Sequence, residues 1–420
     1  MEAYANALLV AIPFFMVLMC IEMLYGHFSG KQTYRLMDTL SSLSSGMTNV
    51  LKDSLGLVIV LISYPWLKEI IAFQNLEENF WTYSIAFICI DFASYWSHRL
   101  NHKVNFFWNQ HIVHHSSEEF NLACALRQSI SNVLGFGALF LIPAAFFGVP
   151  EKVIQILAPA HLFAQFWYHT RHIGKLGILE YLIVTPSQHR VHHAINPIYI
   201  DKNLSAIFCV WDRLFGTFQE ELEDEPPVYG TLKPVNSWNP LWINFQHLWG
   251  LIQDAWHTKS WKAKLIIWFM PTGWRPKDVI EKWPRAVLDQ VKNQVKYAPD
   301  LPKSSSFWAL FHWSGTTLFL MSFLYQFGHL SNEHRLLYGM LIFASIFGYT
   351  AIMDHKKWAL NFEWIRTIGG MSLLFFIEYN APLVPLSNGV LSAFGSTYFG
   401  ISFLLLFWLT HQNKFYEQPS

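Results

Sequence analysis

The stretch HRLNHKVNFFWNQHIVHH at residues 98–115, joined later by QHRVHH at residues 188–193, decides the fold of this chain. Together they hold three histidine clusters, spaced HxxxH, HxxHH and HxxHH. Residues three and four apart share one face of a helix, so each cluster directs its imidazoles to one side. Neutral imidazole binds iron, zinc and copper, and the pattern therefore predicts a metal site on helices. The predicted ligands are His98, His102, His111, His114, His115, His189, His192 and His193.

His169, in the stretch QFWYHT at residues 165–170, is a candidate ninth ligand, with a solvated interfacial histidine as the alternative. His161 and His172 are weaker candidates. Eight or nine histidines exceed what one ion can use, so two metal ions are predicted. Two zinc ions, each with three or four protein ligands, would also account for this number of histidines. Iron is favoured because a pair of irons with open positions can bind and split O₂.

The composition predicts a membrane protein. The 420 residues are 52% hydrophobic and 17% aromatic, only 14% are charged, and the mean hydropathy is +0.23. These values are too apolar for an ordinary soluble chain of this length. The formal net charge is zero, without a block of like charges that would suit nucleic acid. The four cysteines form no CxxC pair, so neither a thiolate zinc site nor a disulfide framework is expected.

Apolar runs long enough to cross a bilayer predict an all-α bundle with many membrane spans. If the two runs on either side of Pro150 form a re-entrant hairpin, the count is eight rather than nine. The candidate spans are 5–25, 50–66, 80–97, 131–149, 151–170, 307–327, 335–353, 363–383 and 389–411.

Four regions follow from these runs. They are N-terminal spans at 1–79, a catalytic core with the histidine clusters at 80–220, a cytoplasmic or interfacial segment at 221–306, and C-terminal spans at 307–420. Basic residues near the span ends place the histidine clusters on the cytoplasmic side. The tryptophan-rich stretch before residue 307 is expected to form a cap with interfacial helices, with a small soluble domain as the alternative.

Asp91 lies seven residues before His98, on roughly the same helix face and inside an apolar run. A carboxylate there is costly unless it has a partner. One interpretation is that it accepts the N–H of a ligand imidazole and fixes its tautomer. The alternative is an ion pair with Arg99 or Arg127.

Glu118 and Asn121 follow the second cluster in the stretch SSEEFN at residues 116–121. Side chains of this kind cap helix starts, and they can also hydrogen-bond to the residues that bind a metal. We therefore treat Glu118 and Asn121 as candidate catalytic residues, with capping of the next helix as the simpler role.

The three clusters are followed by WDRLFGTF at residues 211–218, and the chain also contains HHSSEE at 114–119, ALRQS at 125–129 and YIDKN at 199–203. In this order the strings resemble the fatty acid hydroxylase and sterol desaturase superfamily of membrane di-iron enzymes. The longer strings are similar to its ether-lipid branch. The resemblance covers about residues 30–275.

This resemblance implies a tetrahydrobiopterin-dependent monooxygenase that holds two irons on the eight cluster histidines. Its reaction would use O₂ to hydroxylate the carbon beside the ether oxygen of an alkylglycerol, giving a fatty aldehyde and glycerol or its derivative. The chain has no GxGxxG or P-loop string, so the reductant is expected from outside, including an external reductase. The implied location is the endoplasmic reticulum in a eukaryote or the inner membrane in a bacterium.

Lys103 departs from the branch pattern, which commonly carries glutamate directly after the second histidine of the first cluster. We therefore expect Lys103 to alter cofactor binding. A sister function, hydroxylation or desaturation of a fatty acyl or sterol-type lipid with electrons from a redox protein, stays open. A histidine-rich metal transporter would spread its ligands along spans near the bilayer midplane, whereas these clusters gather at one face.

Overall fold

The computed structural model describes residues 2–288, 290–380 and 385–411, and its regular secondary structure is almost all helical. Short 3-10 helices span Gly137–Leu141, Gly177–Tyr181 and Val291–Asn293, and strand β1 (Ile59–Val60) pairs in parallel with β2 (Leu134–Gly135). The α-helices are α1 (Glu2–Phe28), α2 (Leu36–Ser54), α3 (Tyr64–Ile71), α4 (Phe80–Lys103), α5 (Asn105–His115), α6 (Leu122–Ala125), α7 (Ile142–Phe146), α8 (Glu151–Phe163), α9 (Pro186–His192), α10 (Val210–Leu214), α11 (Pro240–His257), α12 (Trp261–Ile266), α13 (Lys277–Lys282), α14 (Lys303–Gln326), α15 (Asn332–Met353), α16 (Ala359–Asn380) and α17 (Pro385–His411).

Four helices within the described residues are long and apolar enough to cross a membrane. They are α1, α14, α15 and the Ala393–His411 part of α17. They coincide with the spans predicted at both ends of the chain. The prediction of a mostly helical integral membrane protein is therefore supported, with fewer spans than expected.

Three of the predicted spans are wrong because the chain does not form one helix there. Residues 50–66 contain the end of α2, the strand β1 and the start of α3, with Gly56 in a left-handed conformation between them. Residues 131–149 are divided among β2, a 3-10 helix and α7. In the run 151–170, α8 has only 13 residues and contains Pro159. Its length of about 20 Å is shorter than the roughly 30 Å of a hydrocarbon core, which fits the re-entrant alternative.

The predicted spans at 80–97 and 363–383 fall on α4 and α16, although residues 381–383 lie outside the described part of the chain. Neither helix is among the four that are apolar enough to cross a membrane. Both carry buried charge, with Asp91 in α4 and the pair Glu363 and Arg366 in α16. The prediction from apolar runs alone therefore gave too many membrane spans.

The helices pack around two main hydrophobic cores. One core joins α14–α17 to α1 and α2, and the other joins α3, α7 and α8 to the first half of α4. Beyond them, α11 packs on α5. Trp256 and Trp261 are 81% and 77% exposed, so this part of the chain is not a small domain with a tryptophan-rich core.

Candidate metal centre

A sharp corner between α4 and α5 brings the first two histidine clusters together. Only Val104, in an extended conformation, separates the two helices. The corner is held by buried Asn105, whose amide donates to the carbonyls of Ile267 and Trp274, at 3.1 and 3.2 Å. Each cluster lies in the last turns of its helix, and the corner brings the imidazoles of the first cluster beside those of the second.

The third cluster lies on α9, a helix of two turns whose start is well marked. Thr185 caps it and Pro186 occupies its first turn. The Asn203 amide then donates to the carbonyl of Gln188, at 3.0 Å, and so ties α9 to the loop that follows.

The nine predicted histidines form two groups, and the ligand atoms within each group lie within 4.8 Å of one another. The helices α5 and α9 each contribute histidines to both groups, because neighbouring histidines of one cluster face opposite sides of the centre. His169 joins the second group. Group one is His98, His102, His111, His115 and His192, and group two is His114, His169, His189 and His193.

The ring nitrogens point at one another within each group. In group one, His98 Nε2 lies 2.8 Å from His111 Nε2, and in group two His169 Nε2 lies 2.8 Å from His189 Nε2. The buried Nε2 atoms of His102 and His192 have no hydrogen-bond partner. Converging, buried nitrogen acceptors of this kind fit a metal ion better than they fit each other.

The opposite nitrogens of several rings are held by carbonyl oxygens. His98 Nδ1 donates to Leu204 O at 2.8 Å, and His192 Nδ1 donates to Lys202 O at 3.1 Å. His169 Nδ1 donates to Gln165 O, at 3.1 Å. Such bonds fix the tautomer in which Nε2 carries the free lone pair.

Burial keeps these imidazoles uncharged. It lowers the pKa of His98 and of His169 to about 3, and it holds the pKa of His111 and His189 well below the ordinary histidine value. A metal ligand must be the neutral ring, so the site needs no proton loss before it binds an ion.

Asp91 does not contact a cluster histidine, so that predicted hydrogen bond was wrong. Its Oδ1 accepts from His161 Nε2 at 2.7 Å, and its Oδ2 accepts from Trp211 Nε1 at 2.8 Å. The same carboxylate also accepts the backbone N–H groups of Ile207 and Phe208. Asp91 thus ties α4 to α8 and to the segment that leads into α10.

The alternative ion pairs for Asp91 were also wrong. Arg127 is buried and pairs with Asp38, at 3.1 Å. Arg99 donates to the hydroxyl of Tyr95, at 2.8 Å. Tyr95 lies four residues before Arg99 on α4, a spacing that a helix predicts, whereas the Arg127–Asp38 pair joins residues far apart in the sequence.

Asn121 and Glu118 hold the chain around the centre. Asn121 caps α6, as the simpler interpretation predicted, and its amide also donates to Thr33 O at 2.7 Å. Glu118 accepts the backbone N–H of Tyr297, at 2.6 Å. Burial raises the pKa of Glu118. In the described contacts, both side chains bind backbone groups, which places them as supports of the fold.

Lys103 is half exposed and pairs with Asp201, whose Oδ2 lies 2.6 Å from its Nζ. The other oxygen of Asp201 lies 3.3 Å from His102 Nδ1. Asp201 was not predicted as a site residue, although it belongs to the string YIDKN that carries part of the family resemblance. Its backbone is left-handed, with φ 57°. In the described contacts, Lys103 is thus connected to the centre through Asp201 and His102.

A cavity of about 940 Å³ opens onto both histidine groups. His98 and His111 line it from group one, and His114, His169 and His189 line it from group two. The rest of its wall is mainly apolar and comes from several helices, α1, α2 and α14 among them. An apolar molecule in this cavity would lie against both candidate metal positions.

Comparisons with known proteins agree with this centre. A family model described as fatty acid hydroxylase matches residues 83–217, which include all nine histidines. No solved structure matches the chain.

Curated relatives extend the match beyond that domain. Human alkylglycerol monooxygenase is 34% identical over 382 residues, covering 89% of this chain and 84% of the relative. The alkylglycerol monooxygenases of Xenopus tropicalis and Danio rerio are 37% and 36% identical, each over 63% of this chain and 59% of the relative. The chain therefore belongs to the alkylglycerol monooxygenase family of oxygen-dependent oxidoreductases.

Proposed function

We propose that this chain is a di-iron membrane monooxygenase that hydroxylates the ether-adjacent carbon of alkylglycerol lipids. The observation that carries the proposal is the pair of histidine groups opening onto one apolar cavity. Family membership supports the reaction type. The described histidines are the proposed ligands, five for one iron and four for the other.

The proposed net reaction inserts one oxygen atom of O₂ into the C–H bond and reduces the other atom to water. It consumes two electrons and two protons, and we propose tetrahydrobiopterin as their source. The hydroxylated ether is a hemiacetal, which breaks its C–O bond to release a fatty aldehyde and a glycerol hydroxyl. An iron pair would supply the oxygen chemistry, since redox metals perform it where side chains cannot.

The chain's own residues position the lipid and the ligands. The carbonyls of Leu204, Lys202 and Gln165 orient imidazoles, so the metal sites are preorganised. Ser94, Ser97 and Asn101 line the cavity on α4 beside His98. These neutral groups are suited to hydrogen-bond the glycerol hydroxyls, while the apolar wall excludes water from the reacting carbon.

Membrane placement is part of the proposal. The basic residues near the span ends favour a cytoplasmic metal centre, and the exposed tryptophans of the 221–306 segment favour contact with the headgroup region. A cysteine introduced at Lys103 should react with a membrane-impermeant maleimide only from the cytoplasmic side of sealed vesicles. Reaction only from the opposite side would reverse the orientation.

The reaction is tested with purified protein, a 1-O-alkylglycerol, O₂ and tetrahydrobiopterin, with a metal-stripped preparation as the control. We expect close to two irons per chain and release of the matching fatty aldehyde. Aldehyde release with a ferredoxin or cytochrome reductant and none with the pterin would overturn the electron source alone. Stoichiometric zinc in an active preparation, or hydroxylation of acyl lipids only, would overturn the di-iron or the ether-lipid assignment.

A further inference from the structure

We infer that the cavity is a binding site for one unbranched hydrocarbon chain, and that α1, α2 and α14 set the chain length the enzyme accepts. This inference rests on the proposed function, because it takes the metal centre as the end of the cavity where the ether carbon lies. It adds a part of the molecule outside residues 83–217, the region that matches the hydroxylase family.

The helix α1 presents one continuous stripe to the cavity. The lining residues Tyr4, Leu8, Ala11, Ile12 and Phe15 follow the three- and four-residue spacing of a single helix face. From Tyr4 to Phe15 the stripe is about 17 Å long at 1.5 Å per residue. One leaflet of a bilayer is about 15 Å thick in its hydrocarbon part, so the stripe matches the chain of an ordinary membrane lipid.

The facing wall comes from α2 and α14. Met47 and Val50 line the cavity from α2, and Trp313, Thr317 and Leu320 line it from α14. The two helices are joined at the wall, because the hydroxyl of Thr317 contacts the sulfur of Met47 at 3.7 Å. This side of the cavity is therefore a continuous wall made by two helices that pack against each other.

The direction of the chain follows from how α1 is fixed. Its later turns are tied to the metal centre, since the ring of Phe15 packs 4.4 Å from that of Phe166 and Glu22 binds the hydroxyl of Thr170, next to His169. Its first turns lie at the other end, where Glu2 is close to Gly328 beyond the end of α14. A chain with its ether carbon at the histidines therefore places its terminal methyl near Tyr4 and Leu320.

The chemistry of the cavity wall favours an apolar, uncharged chain. In the described lining, Asp53 is the single charged residue, since burial keeps the histidines neutral, and it lies on α2 close to Tyr4. Burial of each methylene contributes about 0.8 kcal/mol. Added length therefore strengthens binding until the chain reaches Tyr4 and Leu320, beyond which further methylenes leave the lined part of the cavity and gain no more burial.

Ala11→Trp tests the inference, with Val10→Trp as the matched control. Ala11 lines the cavity, whereas its neighbour Val10 is 74% exposed on the outer side of the same helix. With 1-O-alkylglycerols of increasing length, we expect Ala11→Trp to lower kcat/KM for long chains roughly ten-fold or more relative to short chains. Val10→Trp should keep the wild-type profile, and Leu320→Ala should extend the profile to longer chains. An unchanged profile in both Ala11→Trp and Leu320→Ala would overturn the inference.

A binding measurement separates this inference from the proposed reaction. A long-chain 1-O-alkylglycerol with a terminal diazirine is photolysed on the purified wild-type protein, and the labelled peptides are identified by mass spectrometry. Labelling of α1 and α14 supports the chain site even if no aldehyde is ever formed, in which case the proposed reaction fails alone. Aldehyde formation with labelling confined to other helices would leave the reaction standing and overturn the chain site.

Discussion

At the residue scale, the centre is built so that few side chains are replaceable. Each group contains four or five histidines, and several rings are fixed by a single carbonyl on the opposite nitrogen. His189 faces His169 at 2.8 Å and His193 at 3.1 Å, so it is central to group two. Removing one such ring takes a ligand from one metal and also loosens its neighbours.

We predict that His189→Ala lowers the iron content of the purified protein to about one per chain and abolishes turnover. The matched control is His257→Ala, since His257 is exposed at the end of α11 and should leave both quantities unchanged. His169→Ala should behave like His189→Ala. Full activity and two irons in His169→Ala would remove it from the ligands.

Asp91→Asn should act on stability, because the carboxylate accepts from four donors that belong to α4's neighbours. An amide keeps the shape but turns a donor toward buried N–H groups. We expect the free energy of unfolding to fall by about 2–3 kcal/mol, as for a buried donor left unsatisfied. Thermal unfolding measures it, with Asp224→Asn, at an exposed position, as the control. Normal stability together with a ten-fold lower turnover would instead assign Asp91 a direct role at the metals.

Asp201 should hold His102, and Lys103 should hold Asp201. We predict that Asp201→Asn weakens metal binding in group one by roughly ten-fold, as loss of an outer-shell carboxylate typically does. Lys103→Glu should weaken it too, since two carboxylates then meet, whereas Lys103→Met should have a smaller effect. Metal titration of the stripped protein measures this. Tighter tetrahydrobiopterin binding in Lys103→Glu, with unchanged metal affinity, would favour direct cofactor contact by residue 103.

At the element scale, the packing of α11 on α5 supports the corner that carries two clusters. His247 on α11 donates from Nε2 to Asn105 O, at 3.0 Å, at the first residue of α5. Burial lowers the pKa of His247 to about 4. The neutral ring is thus part of the contact between the two helices.

This contact predicts a pH dependence. Unfolded His247 takes up a proton below about pH 6.5, while the folded ring stays neutral until about pH 4. The contribution of neutral His247 to the free energy of unfolding is therefore fully present above pH 6.5. It falls by about 1.4 kcal/mol per pH unit as the pH drops from 6.5 toward 4. His247→Gln should flatten the slope of unfolding free energy against pH by that amount. An equal slope in the variant and the wild type would show that His247 ionises in the folded protein.

At the scale of the whole molecule, the centre joins parts of the chain that are far apart in sequence. The ligands come from α4, α5, α9 and the segment before Thr170, and the cavity wall is completed by α1 and α14. A metal in either group would therefore connect α9 to parts of the chain that lie far from it in sequence.

We predict that removing the metals lowers the unfolding temperature of the whole protein, since an ion binds the folded site and few of its ligands are together when unfolded. A metal present at a hundred times its Kd stabilises by about 2.7 kcal/mol. Scanning calorimetry before and after chelation, with iron added back, measures the shift. A loss that iron does not restore, or no shift at all, contradicts the prediction.

The amino-acid sequence by itself determined the helical class, the membrane character and the eight cluster histidines, because these depend on local spacing and composition. Capping of α6 by Asn121 was predictable for the same reason. Only the tertiary structure decided how α5 and α9 divide their rings between two groups, which partners Asp91 has, and that Asp201 supports His102. Those contacts join residues tens of positions apart, and which groups meet depends on how the helices pack, which no periodic pattern along the chain encodes.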